Sequence, residues 1–230
     1  MRPFNNMSRF ATCVVIALAL LAVSPAADAR APSSSTTSAS RACAADPDPP
    51  TRGAAMRRFA PTAGQVELGM YNGLMVPPGN HGLYGTQWRG LRPVVGSIGA
   101  RIGYFPLPWI GGEVEGGGFP GRTADGSDFN AFALRGHAVF QVPLRLAPFV
   151  LAGAGALMVR TPKAVLGSDI DPAAHIGTGL KFRVLRWLTL RVEWRGTFAG
   201  NRNGGEGAPA MYNEVLLGVS FVFGGLPRLE

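Results

Sequence analysis

The residues of this chain that could do chemistry are three histidines, a few polar neighbours, and charges set into apolar stretches. His81, His137 and His175 are the only histidines. Ser168, Asp169 and Asp171 lie shortly before the last of them. Acid–base or nucleophilic catalysis needs a nucleophile or an activated water beside a base. No serine stands beside a histidine in a recognisable arrangement, so no catalytic residue is assigned. An enzyme would need an Asp–His or Ser–His contact at an exposed rim or an apolar outer face. CxxC and HExxH spacings are absent. Gly167-Ser168-Asp169-Ile170-Asp171 lacks the spacing and terminal Glu of a calcium loop. Gly153-Ala154-Gly155 lacks the helix that a nucleotide-binding turn would open. No metal site and no cofactor are expected.

The charged residues are more informative because they alternate with apolar ones. In Leu188-Thr189-Leu190-Arg191-Val192-Glu193-Trp194-Arg195 every second residue is apolar and the others are polar or charged. A period of two is the signature of a strand with two different faces. The same reading gives strands over 65–73, 94–105, 110–118, 129–142, 149–160, 175–184 and 212–223. Glu67, Arg101, Glu113, Glu115, Arg135, His137, Lys181, Arg183 and Glu214 fall on the polar face, with Arg191, Glu193 and Arg195. Leu68, Met70, Ile98, Ile102, Val114, Leu134, Ile176, Val192, Leu217 and Phe221 fall on the other. The stretch 149–160 is too rich in Ala and Gly to orient.

Connection lengths select the architecture. Short links at 106–109, 143–147 and 185–187 alternate with long ones at 75–93, 120–128, 161–174 and 200–211. All short turns therefore fall at one end and all long loops at the other. This predicts an all-β fold, an eight-stranded antiparallel up-and-down transmembrane β-barrel with short periplasmic turns and longer external loops. In lipid an open sheet edge leaves backbone groups unpaired, so the sheet must close. A soluble β-sandwich is the alternative, and it requires the first and last strands to lie apart. Tyr104, Phe105, Trp109, Phe119, Phe129, Phe198 and Tyr212 lie near strand ends and are expected to form aromatic girdles at the membrane interfaces.

Composition agrees. The chain is 47% hydrophobic but only 16% charged, with 32 glycines among 230 residues and a net charge of +8. The basic residues are spread through the strands, which speaks against a nucleic-acid partner and for an anionic membrane surface. Arg2 and Arg9, the apolar run 10–23 and Ala27-Asp28-Ala29 read as a cleaved signal peptide over 1–29. Residues 30–61, rich in Ser, Ala, Pro and Arg, are expected to be a disordered periplasmic segment. Cys43 is left alone once Cys13 is removed with the leader, so no disulfide is expected. The barrel is expected over 62–224, followed by a short tail at 225–230.

The chain resembles the eight-stranded N-terminal barrel of the outer-membrane protein A family over about residues 64–223. The resemblance is carried by Leu68-Gly69-Met70-Tyr71-Asn72-Gly73, Arg101-Ile102-Gly103-Tyr104-Phe105, Pro148-Phe149-Val150-Leu151-Ala152-Gly153-Ala154-Gly155 and the segment 171–182. Gly218, Phe221 and Phe223 in the last strand are similar to the signal that the barrel assembly machinery reads during insertion. The resemblance implies residence in the bacterial outer membrane. The family's periplasmic peptidoglycan-binding domain is not expected, and peptidoglycan anchoring is not carried over.

On the inward face Glu67, Glu113, Glu115, Glu193 and Glu214 meet Arg101, Arg135, Lys181, Arg183, Arg191 and Arg195. An eight-stranded barrel is just filled by its own side chains, so these charges are expected to pair into a network. The function expected is structural and non-enzymatic. The external loops, with Trp88, Arg89, Arg122, Arg160, Lys163 and Arg202, would contact lipopolysaccharide or external partners. A narrow or gated porin-like channel is the alternative, and a lipid- or peptide-modifying enzyme ranks third. Partners expected are outer-membrane lipids, lipopolysaccharide and the assembly machinery, with the barrel itself a monomer.

Overall fold

The computed structural model describes residues 59–202 and 208–225. The signal peptide, Cys43, most of the segment 30–61 and nearly all of the tail lie outside the described residues. The described residues form eight strands: β1 (Gln65–Val76), β2 (Val95–Leu107), β3 (Ile110–Arg122), β4 (Asp128–Gln141), β5 (Leu146–Arg160), β6 (Ser168–Leu185), β7 (Leu188–Ala199) and β8 (Ala210–Gly224). Each pairs with its sequence neighbours, and the sheet closes into a barrel. The closing ladder is antiparallel and runs from Gln65 opposite Gly224 to Val76 opposite Asn213. The first and last strands therefore lie side by side, and the sandwich alternative fails.

Alternation sets the radial order. Met70 is 65% exposed, Ile98 62% and Leu134 58%, while Arg195 and Glu214 on neighbouring strands are 0% exposed. Apolar side chains face outward and ionised ones inward, the reverse of a water-soluble barrel. Such a surface suits a lipid environment. The short connections at 108–109, 142–145 and 186–187 share one end with the two ends of the barrel chain; 77–94, 123–127, 161–167 and the described residues between β7 and β8 lie at the other. These are called the turn end and the loop end below.

Three expectations are corrected. First, β6 starts at Ser168 rather than 175, because residues 168–174 pair with residues 154–160 of β5. A long partner strand holds Asp171-Pro172-Ala173-Ala174 in extended form despite its turn-like composition. Second, β5 is oriented after all. Phe149, Leu151, Leu157 and Val159 point inward and Val150 outward, so its lumen face is apolar rather than charged. Third, Phe105, Phe119, Phe129 and Tyr212 are not girdle residues but lie in the interior, each at most 2% exposed. Tyr104 and Trp109 do face outward.

The strands run from 12 to 18 residues, longer than the roughly 9–11 that cross the hydrocarbon. Interior aromatics in so narrow a tube need room. Tyr71 on β1 lies where a Cβ on Gly99 or Gly117 would collide with its ring or hydroxyl. Glycine at both positions is what lets this ring lie across β2 and β3.

Candidate functional site

The interior has layers. At the loop end an apolar cluster fills the tube: Met75, Phe119, Phe129, Leu157 and Tyr212, with Leu83 from the first loop and Leu166 from the third. Leu83 is 1% exposed and Leu166 0%. Sequence reasoning expected a charge-paired network in the lumen and missed this plug. The signal was present: strand ends facing the loops carry inward apolar residues where the strand middles carry inward charges.

The loop 77–94 holds the plug in place. Gly85 and Thr86 each donate a backbone hydrogen bond to the Leu166 carbonyl, at 2.9 and 3.1 Å. Arg92 donates to the Arg122 carbonyl, and the Ala124 amide donates to that of Gly90. Arg89 pairs with Asp125 and donates to the Ala164 carbonyl at 2.8 Å. Tyr84 donates to the Arg202 carbonyl at 2.7 Å. His81 forms an isolated bridge with Asn201. One loop is thus bonded to all three others. The Trp88 ring stacks on His81, and the Arg202 guanidinium lies 4.2 Å from its centroid. Burial holds the His81 imidazole below the usual histidine range, and the Arg202 charge adds to this. The hydrogen bond to the Arg89 carbonyl at 2.8 Å acts against it.

Beneath the plug the ionised groups form one connected network. Arg135 makes a forked contact with Glu214, at 3.0 and 2.5 Å, and reaches Glu115 at 3.3 Å. Glu115 pairs with Arg195, which also contacts Glu193. Glu193 accepts from Arg101 at 2.9 Å and faces Arg191 at 2.8 Å. Arg191 donates to both oxygens of Glu113, each at 2.8 Å. Glu113 also takes His137 at 3.0 Å and Lys181 at 3.3 Å, and Lys181 reaches Glu67 at 2.8 Å. Arg183 ends the chain, 3.8 Å from Glu67.

Aromatic faces complete the solvation of these cations. Lys181 Nζ lies 4.1 Å from the Phe105 centroid, and the guanidinium carbons of Arg191 and Arg101 lie 4.2 and 4.7 Å from Phe149 and Tyr71. Arg135 lies 5.5 Å from Phe119. Strand alternation turns Phe105 and Phe119 inward, and there they give buried cations a π face.

All the lumen residues named from the sequence are buried, none above 6% exposed. The residues named as an assembly signal separate by direction. Phe221 and Phe223 point outward, 44% and 55% exposed, and Gly218 sits beside Tyr71 and Arg191. The histidines lie away from any outer face. His175 touches His137 at 3.3 Å deep in the tube, and His81 contacts a backbone carbonyl. Among the described residues no Asp–His or Ser–His hydrogen bond is formed, and no group of three or more acidic, His or Cys side chains could hold a metal.

Fold and interior together define a small, closed, eight-stranded barrel with an apolar outside and an ionised inside. No family model and no curated protein matches the chain. Solved structures do. Neisserial surface protein A is 12% identical with a TM-score of 0.50, over 70% of this chain and 99% of that one. The N-terminal β-barrel domain of Pseudomonas aeruginosa OprF is 21% identical with a TM-score of 0.47, over the same shares. Ail, the attachment invasion locus protein of Yersinia pestis, is 13% identical with a TM-score of 0.48, also over 70% and 99%. The likeness to the neisserial protein concerns the fold, an eight-stranded barrel of the type that the sequence resemblance implied.

Proposed function

We propose that the chain is a structural barrel of the bacterial outer membrane, closed to solute flow, whose loop end faces outward and contacts lipopolysaccharide. The observation that carries this reading is the double closure of the lumen. Paired charges fill its middle, and an apolar plug under a hydrogen-bonded loop seals its outer mouth. Opening a path would separate buried ion pairs and would also lift Leu83 and Leu166 out of the plug. An outward apolar band with short turns at one end supports the membrane setting.

For the loop end, Arg92, Arg160 and Lys163 are exposed and carry no ion pair among the described residues. They are the cations available to phosphate groups of lipopolysaccharide. Arg89, Arg122 and Arg202 are already engaged with Asp125, Asp128 and Trp88. Gly218, Phe221 and Phe223 are read as the segment presented to the assembly machinery. Planar-bilayer recording of the refolded protein tests the closed lumen. Silence is expected, and steady single-channel openings would overturn the reading in favour of a narrow channel.

A further inference from the structure

Outside the lumen, the two ends of the barrel differ in charge. Among the described residues every acidic side chain that is not part of the lumen network lies at the loop end: Asp125, Asp128, Asp169 and Asp171. The surface of the turn end carries no carboxylate among the described residues. Two arginines stand there, Arg145 between β4 and β5 and Arg186 between β6 and β7. Their turns are neighbours, because β5 pairs with β6 and the Arg183 amide donates to the Arg145 carbonyl at 2.9 Å.

Arg145 is held in place. Its Nε donates to the Arg183 carbonyl at 3.2 Å, and its guanidinium carbon lies 5.2 Å from the Phe182 ring centroid and 5.7 Å from that of Phe59. Phe182 faces outward, so a guanidinium packed on its ring lies at the outer edge of the turn. With Nε engaged and no carboxylate partner among the described residues, the two Nη groups are the edge left for a ligand. Arg186 is exposed and makes no hydrogen bond or ion pair among the described residues. Beside it the exposed Trp187 ring stacks on Phe221, centroids 5.9 Å apart. Leu146 and Leu185 also face outward. The two cations therefore border the apolar band at a level where aromatic rings mark a membrane interface.

We propose that Arg145 and Arg186 hold the headgroup phosphate of an acidic phospholipid in the leaflet around the turn end. The phosphate lies on the outer rim of the two turns, in open headgroup space, and the acyl chains follow the outward side chains of β5 to β7. The planar guanidinium fork matches two phosphate oxygens. A zwitterionic headgroup carries the same phosphate, but its ammonium group meets no carboxylate here among the described residues and faces two guanidinium groups instead. That selects an acidic headgroup such as phosphatidylglycerol. The inference rests on the membrane setting proposed above and is independent of the closed lumen.

The test is lipid retention. The full chain is refolded into vesicles of phosphatidylethanolamine with a minor share of phosphatidylglycerol of the same acyl chains, extracted in a mild non-ionic detergent, and weighed with its bound lipid by native mass spectrometry. Phosphatidylglycerol should be retained several-fold above its share of the vesicle lipid. Arg145→Gln should lower that retention about fivefold, the value of one basic residue at a lipid surface. Arg145→Lys keeps the charge but loses the fork, and should fall between. Arg186→Gln removes no contact within the described residues, so it should fold even if Arg145→Gln does not, and should also retain several-fold less. Arg122→Gln makes the same charge change at the loop end and should retain lipid as the parent does. Extraction in millimolar inorganic phosphate should leave the lipid bound; loss there gives the cations to the free ion and overturns the assignment. Retention no higher than the vesicle share, or parental retention in both Arg145→Gln and Arg186→Gln, overturns the site alone. A chain that fails to enter the vesicles overturns the membrane setting with it, so the two failures are told apart.

Discussion

Replacing Glu193 with Gln removes one negative charge and little volume. The Glu193 side chain has no exposed area and is approached by three guanidinium groups: Arg101 at 2.9 Å, Arg191 at 2.8 Å and Arg195 at 2.9 Å. A glutamine keeps one acceptor but leaves the arginines one charge in excess, in a place water does not reach. Breaking a buried pair in this way costs about 3–5 kcal/mol. A whole domain holds only about 5–15 kcal/mol, so the variant should lose a large share of its stability. The comparison is Asp128→Asn. Its partner Arg122 lies at 2.7 Å, but the two side chains are 78% and 57% exposed. A pair so open to solvent contributes about 0–1 kcal/mol. Urea unfolding in detergent micelles, followed by tryptophan fluorescence, measures both. Adding Arg195→Met to Glu193→Gln restores the charge count and should recover part of the loss. If Glu193→Gln and Asp128→Asn cost the same, within about 1 kcal/mol, the network does not hold the lumen and the reasoning is wrong.

Leu83→Asp places a carboxylate in the apolar plug and should cost several kcal/mol locally; limited proteolysis should then cut within 77–94, where the parent chain resists. The His81 imidazole, held below its usual range by burial, makes the first loop sensitive to pH. With the pKa lower in the closed loop than in the open one, closure is at full strength above about 6.5 and weakens as pH falls from there towards the closed-state value. The protection of the amides in 77–94 against hydrogen exchange, taken relative to the intrinsic rate at each pH, should therefore be lower at pH 5 than at pH 7.5, and His81→Gln should remove the difference. Phe223→Ala removes an outward ring, 55% exposed, and leaves the interior untouched. It should refold in detergent as the parent does but accumulate less in the outer membrane of cells, as measured by fractionation; equal accumulation would remove the assembly role.

Strand number, order and closure were legible because the outer face is simple. Leu190, Val192, Val215, Leu217 and their like recur at every second position, and lipid asks nothing more of them than to be apolar. The inward charges were equally legible, since Arg191, Glu193 and Arg195 break an apolar strand at a fixed interval. What stayed hidden depends on neighbours distant in sequence. Phe105 shares the parity of Arg101, and Phe119 that of Glu113 and Glu115, so the period of two already pointed them inward; their nearness to strand ends was read as a girdle instead. What the sequence did not give is the cation each meets, since Lys181 and Arg135 stand on other strands. The plug was missed for a similar reason: Leu83 and Leu166 belong to loops whose sequences carry no period.

The ladder between β1 and β8 has a kinetic side. The other ladders join strands that follow one another, so each can begin as a hairpin. The last joins Gln65 to Gly224, and its loop-closure entropy must be met before any of its contacts form. Contacts between residues so distant in sequence slow folding in general. A chain that entered the bilayer hairpin by hairpin would carry two bare sheet edges into hydrocarbon, which lipid does not tolerate. Residues 210–224 are the last strand of the barrel in chain order, and the fold cannot finish without them. The slow step of this protein's biogenesis should therefore be the meeting of its two ends, and any factor that brings them together acts as a catalyst of folding rather than a contributor to final stability.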